Sequence, residues 1–430
     1  MINWLSNFWY DYQLKVALEE GKQNKAKKIL KQLETSSKKL SCFASLYKQQ
    51  LINNNSLAYY QSEITRLTHQ LAETKPENFQ LQPQPEFINY TYQCFKLNEI
   101  DRHLIQSTGI DKTVFTALEI ALVEFLTAEL KKIPDEKRNR ELTKALEDLI
   151  GLKKGVDPSY SCRLTPHVYF AKYFLDNVYC LYLAWFIIYQ QGLLRKNIKI
   201  LDLAAGVNTS IFSLAILSSS LNKFSTKSIE QVNYYSLEQQ ADLQYRGLQF
   251  WRRYIESFPT PLNTYFRFNT TDLFDYQNYY NKIPQHYFDF VVISHCFFYE
   301  LELRERSNKI YQQIFQQNLN HSGRVLLIIQ GKKLFNAFDF AMTENISLEQ
   351  ELIEKFLEEL GLKLDWYKYL SCTDKRISDK KQFHNFAKNN LPAQSYMRNI
   401  SKTYLDKHYL SHYAVDDYVI LAQPIKKLNS

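Results

Sequence analysis

Short apolar runs separated by longer amphipathic stretches organise the chain from residue 198 onward. The runs fall at 198–203, 232–237, 263–268, 288–295 and 324–330. The first, fourth and fifth are almost continuously apolar, as strands covered by helices on both faces must be. Between them, 209–221, 239–258 and 301–318 carry apolar residues at helical spacing. Strands alternating with helices predict a parallel, doubly wound sheet. Downstream, Leu348, Leu352, Ile353, Phe356, Leu357 and Leu360 form a helical stripe, with Gly361 as its stop. The alternating run 362–370 and the apolar run 417–422 read as two further strands. About forty residues separate these two, far beyond a hairpin loop.

Upstream, 166–191 reads as a buried helix leading into the first of these strands. Its apolar part, 178–189, is shorter than the roughly 20 residues that span a bilayer. The first 150 residues are mostly helical in pattern. A Lys-rich stretch at 11–51 comes first, then 53–72, a Pro/Gln-rich segment with Pro76, Pro83 and Pro85, and a pair at 112–132 and 135–152 broken at Pro134. The expected organisation is a helical region 1–74, a linker 75–90, a helical region 91–160, and an α/β domain 161–425 with a basic insertion at 371–411.

Composition narrows the class. Of 430 residues, 45% are hydrophobic and 15% aromatic, which excludes global disorder. Six cysteines are scattered without a C-x-x-C pair, so neither a disulfide framework nor a zinc or iron–sulfur site is indicated. With no signal-peptide pattern at the N-terminus, a reducing cytoplasm is the expected location. The net charge of +8 permits a polyanionic partner without requiring one.

The candidate chemistry centres on Ile200-Leu201-Asp202-Leu203-Ala204-Ala205-Gly206-Val207-Asn208-Thr209. A strand, a small-residue turn and a helix N-terminus place outward-facing N–H groups where a cofactor's charged tail could approach the main chain. Glu238, at the end of the second strand, is suited to accept hydrogen bonds from ribose hydroxyls.

With these residues, residues 160 to 425 resemble the class I S-adenosylmethionine-dependent methyltransferases. The resemblance implies a doubly wound seven-stranded Rossmann-like sheet with an α-helical N-terminal extension. It implies S-adenosylmethionine as cofactor, with the glycine-rich turn on Asp202, Ala204, Gly206 and Asn208 and the ribose-binding acid on Glu238. The acid near adenine falls on Asp272, with Leu273 beside it. The segment beneath the methyl group begins at Ser294, counted with the cofactor set, and continues through His295-Cys296-Phe297-Phe298-Tyr299-Glu300. Only Gly206 of the family's three usual glycines is present; Ala204 is small, and Asn208 tolerates positive φ.

His295, at the end of the fourth strand, is the candidate general base, with Tyr299 and Glu300 as further candidates. No metal is implied. The methyl acceptor is a small molecule, RNA or protein. RNA would meet Lys375, Arg376, Lys380, Lys381 and Lys388 of the insertion, with Phe383, Phe386, Tyr396 and Tyr404 interleaved for stacking. The alternative is a catalytically inactive scaffold of the same fold that binds RNA or a protein partner.

Overall fold

The computed structural model describes residues 80–154, 158–225, 228–258, 261–298, 300–377, 380–405 and 412–425, together with 23–35 and a few isolated positions nearer the N-terminus. The chain divides into two compact units, 1–78 and 79–430. In the first, helix α1 (Gln23–Thr35) buries Ala26, Ile29, Leu30 and Leu33 against Leu14 and Ala17. Lys25, Lys27, Lys28 and Lys31 lie on its exposed face, the position expected of charges on an amphipathic helix.

The second unit is built on one sheet. Its strands are β1 (Leu97–Glu99), β2 (Leu104–Ser107), β3 (Asn197–Leu203), β4 (Gln231–Glu238), β5 (Asn263–Thr270), β6 (Phe288–Ser294), β7 (Leu319–Gln330), β8 (Leu362–Ser371) and β9 (Asp416–Pro424). Their order is β1-β2-β8-β9-β7-β6-β3-β4-β5. Strands β3 to β7 are mutually parallel, and β9 runs antiparallel to both β7 and β8. The chain builds outward from β3 to β5, then returns to the other side of β3 for β6 and β7. That reversal opens a crevice at the C-terminal ends of β3 and β6.

The sheet has nine strands rather than seven. The additional pair, β1 and β2, comes from the region read as helical, and β2 adds in parallel to the edge of β8. Three- and four-residue strands carry too little alternation to register in a hydropathy pattern. Asp101 makes their turn, accepting from the His103 and Leu104 amides. The fifth predicted strand also starts earlier: Ser322 and Gly323 lie inside β7, where the pairing with β6 shifts register.

Two apolar cores flank the sheet. On one face lie α2 (Pro85–Phe95), α3 (Lys112–Lys131), α5 (Leu175–Gln190), α6 (Thr209–Leu221) and α7 (Ala241–Tyr254); α4 (Asp135–Ile150) follows α3 and packs in a smaller cluster. On the other lie α8 (Leu301–Asn318) and α9 (Ile346–Glu359). Both α5 and α6 are apolar on nearly every side, and both are correspondingly buried. No described helix is long and apolar enough to cross a membrane.

The insertion between β8 and β9 begins with α10 (Lys380–Asn390) and is held against α3 and α4. The buried Glu119 carboxylate of α3 accepts from the Tyr396 and Met397 amides at 2.6 and 2.8 Å. The Arg138 guanidinium of α4 stands over the Tyr404 ring. Phe383, Phe386 and Tyr404 pack against the apolar core rather than presenting free faces for stacking. Tyr396 is exposed.

Candidate functional site

The turn after β3 is built by alternation. Ala204, Gly206 and Asn208 all have positive φ, at 51°, 55° and 66°. Left-handed backbone costs a Cβ-bearing residue about 1–2 kcal/mol, so surrounding contacts must hold Ala204 and Asn208 there. One contact is local, the Asn208 amide donating to the Ala205 carbonyl, and a second reaches β4, the Ala205 amide donating to the Leu237 carbonyl. A third comes from β4, where Glu238 accepts from the Gly206 amide at 2.8 Å with one carboxylate oxygen and from the Gln240 amide at 2.8 Å with the other. Helix α6 starts at Thr209, so its first amides face the same crevice.

Below the turn, Asp202 is buried and accepts from the Tyr234 hydroxyl. Burial pushes its carboxyl up to about 7; the Tyr234 bond opposes this, and the nearby Glu238 charge adds to it. Above the turn sits α7. A Cβ on Gly247 would lie 2.5 Å from the Val207 carbonyl oxygen and 2.7 Å from Asn208 Nδ2. Only a glycine lets this helix lie so close.

The other predicted cofactor residues lie along the same edge of the sheet. Asp272 follows the end of β5 and caps the short turn Leu273–Asp275, accepting from the Phe274 amide at 2.9 Å. The Thr271 amide donates to the Glu238 carbonyl, which ties the ends of β5 and β4 together. Leu273 is half-buried, and Phe274 packs on Phe298 of the segment after β6. The side-chain atoms Ser294 Oγ, Asn208 Oδ1, Ser210 Oγ and Asn269 Nδ2 are buried without hydrogen-bond partners among the described residues. Each such atom costs about 1–3 kcal/mol unless something binds it.

His295 follows β6 with φ 59°, a conformation that costs a residue with a Cβ. Its Nδ1 lies 3.6 Å from Asp417 Oδ1 at the start of β9, and its Nε2 is buried without a partner among the described residues. Burial lowers its pKa; the Asp417 charge opposes this and Lys333 reinforces it, so the ring is neutral at pH 7. Two more carboxyls crowd the area. Burial pushes Asp416 up to about 6, with the Tyr369 hydroxyl donating to it, and Asp176 of α5 up to about 8. Asp176 accepts from Gln394 of the insertion at 2.8 Å.

Of the other catalytic candidates, Glu300 is exposed at the head of α8 and makes no capping bond with its side chain. Tyr299 lies outside the described residues. Among the proposed RNA contacts, Lys375 and Lys388 are exposed, while the side chains of Lys380 and Lys381 are outside the described set. Arg376 is a correction. It is 5% exposed, with Nε 2.8 Å from the fully buried Glu349 and Nη1 2.7 Å from Asp101. Its charge is neutralised inside the fold, joining β1–β2, α9 and the insertion, and cannot reach a phosphate.

Sequence reasoning missed Gly247, Tyr234, Asp417 and Asp176. A lone glycine in a helical pattern is a recognised sign of close approach and marked Gly247 in principle. The other three carry no local signal, because long-range pairing gives them their roles.

No protein-family model matches the chain, and no curated protein matches it. Several solved structures are similar. A chain from the complex between the Haloferax volcanii Trm112 methyltransferase activator and the putative methyltransferase is 11% identical, with 62% of this chain and 95% of that chain covered and a TM-score of 0.33. An S-adenosylmethionine-dependent methyltransferase from Methanosarcina mazei is 11% identical, covering 54% and 95%, with a TM-score of 0.31. A putative one from Methanococcus maripaludis is 12% identical, covering 60% and 90%, with a TM-score of 0.28. Overlap of this size carries no argument about activity.

Proposed function

We propose that the protein transfers a methyl group from S-adenosylmethionine to an acceptor at the crevice between β3 and β6. The observation that carries this reading is the turn at 204–208. Three alternate positive-φ residues lie at the switch point of a parallel sheet, and the Gly206 amide is held by the acid that ends the next strand. The residues fit the cofactor. Buried, unpartnered polar atoms at Asn208 and Ser294 call for a polar ligand, and the turn leaves Gly206 without a side chain in the way.

In this reading Glu238 accepts from the ribose hydroxyls. Asp272 keeps one carboxylate oxygen for the adenine amino group, and Leu273 lies against the ring. The turn from Ala204 to Asn208 and the first amides of α6 face the charged tail, with Asp202 buttressing the turn from below. When bound, S-adenosylmethionine supplies a methyl group activated by its sulfonium centre. The protein's part is alignment and removal of a proton from the acceptor. His295, neutral and with a buried unpartnered Nε2, takes that proton, and Asp417 steadies the imidazolium that forms.

Calorimetric titration with S-adenosylmethionine and S-adenosylhomocysteine tests the reading, with Glu238→Ala as the comparison. Micromolar binding by the native chain, reduced by two orders of magnitude or more in Glu238→Ala, is the expected result. Folded protein that binds neither compound overturns the reading.

A further inference from the structure

We infer that Tyr169 and Tyr173 hold the charged amino-acid end of the cofactor by hydrogen bonds from their two hydroxyls; the inference rests on the methyltransferase reading above. The helix that leads to β3 is not uniform. It starts as a short α-helix at Thr165–Tyr169, passes through a π-helical turn at Phe170–Phe174 and continues as α5. π turns are weaker than α-helix and are often found at functional sites. Here the turn buries Phe170 and Phe174 fully in the core while Tyr169 and Tyr173 remain half-buried beside one another, with ring centroids 5.4 Å apart.

The position of Tyr169 is defined from three sides. Its Oη lies 3.9 Å from where a Cβ on Gly206 would stand, directly over the turn. The negative charge of Glu238 acts on it from the cofactor side, and Cys296 acts from the segment after β6. The hydroxyl therefore stands where the cofactor and acceptor halves of the crevice meet. Burial, reinforced by Glu238, raises its pKa well out of the physiological range, so it keeps its proton. Asn177 Nδ2 donates to it at 3.3 Å, which occupies a lone pair and leaves its own O–H to donate elsewhere. Burial likewise raises the pKa of Tyr173, whose Oη is buried with no partner among the described residues.

One protonated phenol thus lies over the glycine turn, and a second, unsatisfied, packs ring to ring beside it. Their chemistry matches a carboxylate acceptor. The tail of S-adenosylmethionine carries one, and the adenosine part, held at Glu238 and Asp272, does not.

The test separates the tail from the nucleoside. S-Adenosylhomocysteine has the amino-acid tail; 5′-methylthioadenosine lacks it but keeps the adenosine and the sulfur. Tyr169→Phe and Tyr173→Phe keep the rings and remove only the hydroxyls. Each is expected to weaken S-adenosylhomocysteine binding about tenfold while leaving 5′-methylthioadenosine unchanged. Tyr173→Phe is also expected to leave the ligand-free unfolding temperature unchanged or higher, since it removes an unpaired buried hydroxyl. Unaltered S-adenosylhomocysteine affinity in Tyr173→Phe, or equal losses for both ligands, overturns the inference alone. Native protein that binds neither ligand overturns it together with the methyltransferase reading.

Discussion

Gly247→Ala gives the sharpest test of how the cofactor turn is held. In the interior of an exposed helix, replacing glycine with alanine stabilises by about 1 kcal/mol through helix propensity. Here the added methyl would sit 2.5 Å from the Val207 carbonyl oxygen and 2.8 Å from its carbon, both backbone atoms that cannot rotate away. To restore van der Waals separation, α7 or the turn must move by roughly 1 Å. Overpacking of this kind costs about 1–3 kcal/mol. Strain and propensity oppose each other, and the backbone nature of the contact makes strain the larger. The expected result is a net loss of up to about 2 kcal/mol, seen as an unfolding midpoint lower by up to about 3 °C. Because the displaced atoms belong to the turn itself, S-adenosylhomocysteine affinity should fall by about tenfold or more in calorimetry. Gly247→Ala protein with a raised midpoint and native affinity would show that α7 does not set the turn.

Three further outcomes are expected from the same geometry. Ala204→Gly relieves a left-handed alanine at φ 51°, and should raise stability by about 0.5–1 kcal/mol in thermal unfolding after the entropy of the added glycine is subtracted; a lower midpoint refutes the strain. Arg376→Ala strips the partner from the buried Glu349 and should cost about 3–5 kcal/mol in denaturant unfolding, whereas a surface arginine kept for RNA would cost almost nothing. Asp176, pushed up to about 8 by burial, binds a proton in the folded state that it has released in the unfolded chain between about pH 4 and 8. Its stabilising effect is therefore present at low pH and lost as pH rises through 8. Asp176→Asn should match the native midpoint at or below about pH 4 and exceed it increasingly up to pH 9, and a less stable variant at pH 9 refutes the assignment.

The insertion shows how composition and placement part company. Its lysines, arginines and aromatic residues suggest a nucleic-acid surface when counted along the chain. In the folded protein Arg376 pairs with two carboxylates, Phe383 and Phe386 pack against the core, and Glu119 pins the Tyr396 and Met397 amides. The helices read as an extension before the α/β domain share that core, and so they position the segment that bonds to Asp176.

Sequence alone determined what depends on local periodicity. The strands at β3, β4, β6 and β9, the helices α6 and α8, and the stop at Gly361 come from apolar spacing and from one left-handed glycine, all interactions between residues near in sequence. The turn at 204–208 and Glu238 were legible for the same reason, since each lies at the end of an unmistakable strand. The tertiary structure alone decided the rest. The edge strands β1 and β2 exist because β8 offers an unpaired rim, not because Leu97–Glu99 favours a strand. Asp417 meets His295, and Tyr169 meets Gly206, across more than a hundred and more than thirty residues respectively, at atoms the local sequence does not mark. Hydropathy reports whether a residue is buried; only the assembled sheet fixes which side chains it is buried against, and those neighbours set charge, proton affinity and reach.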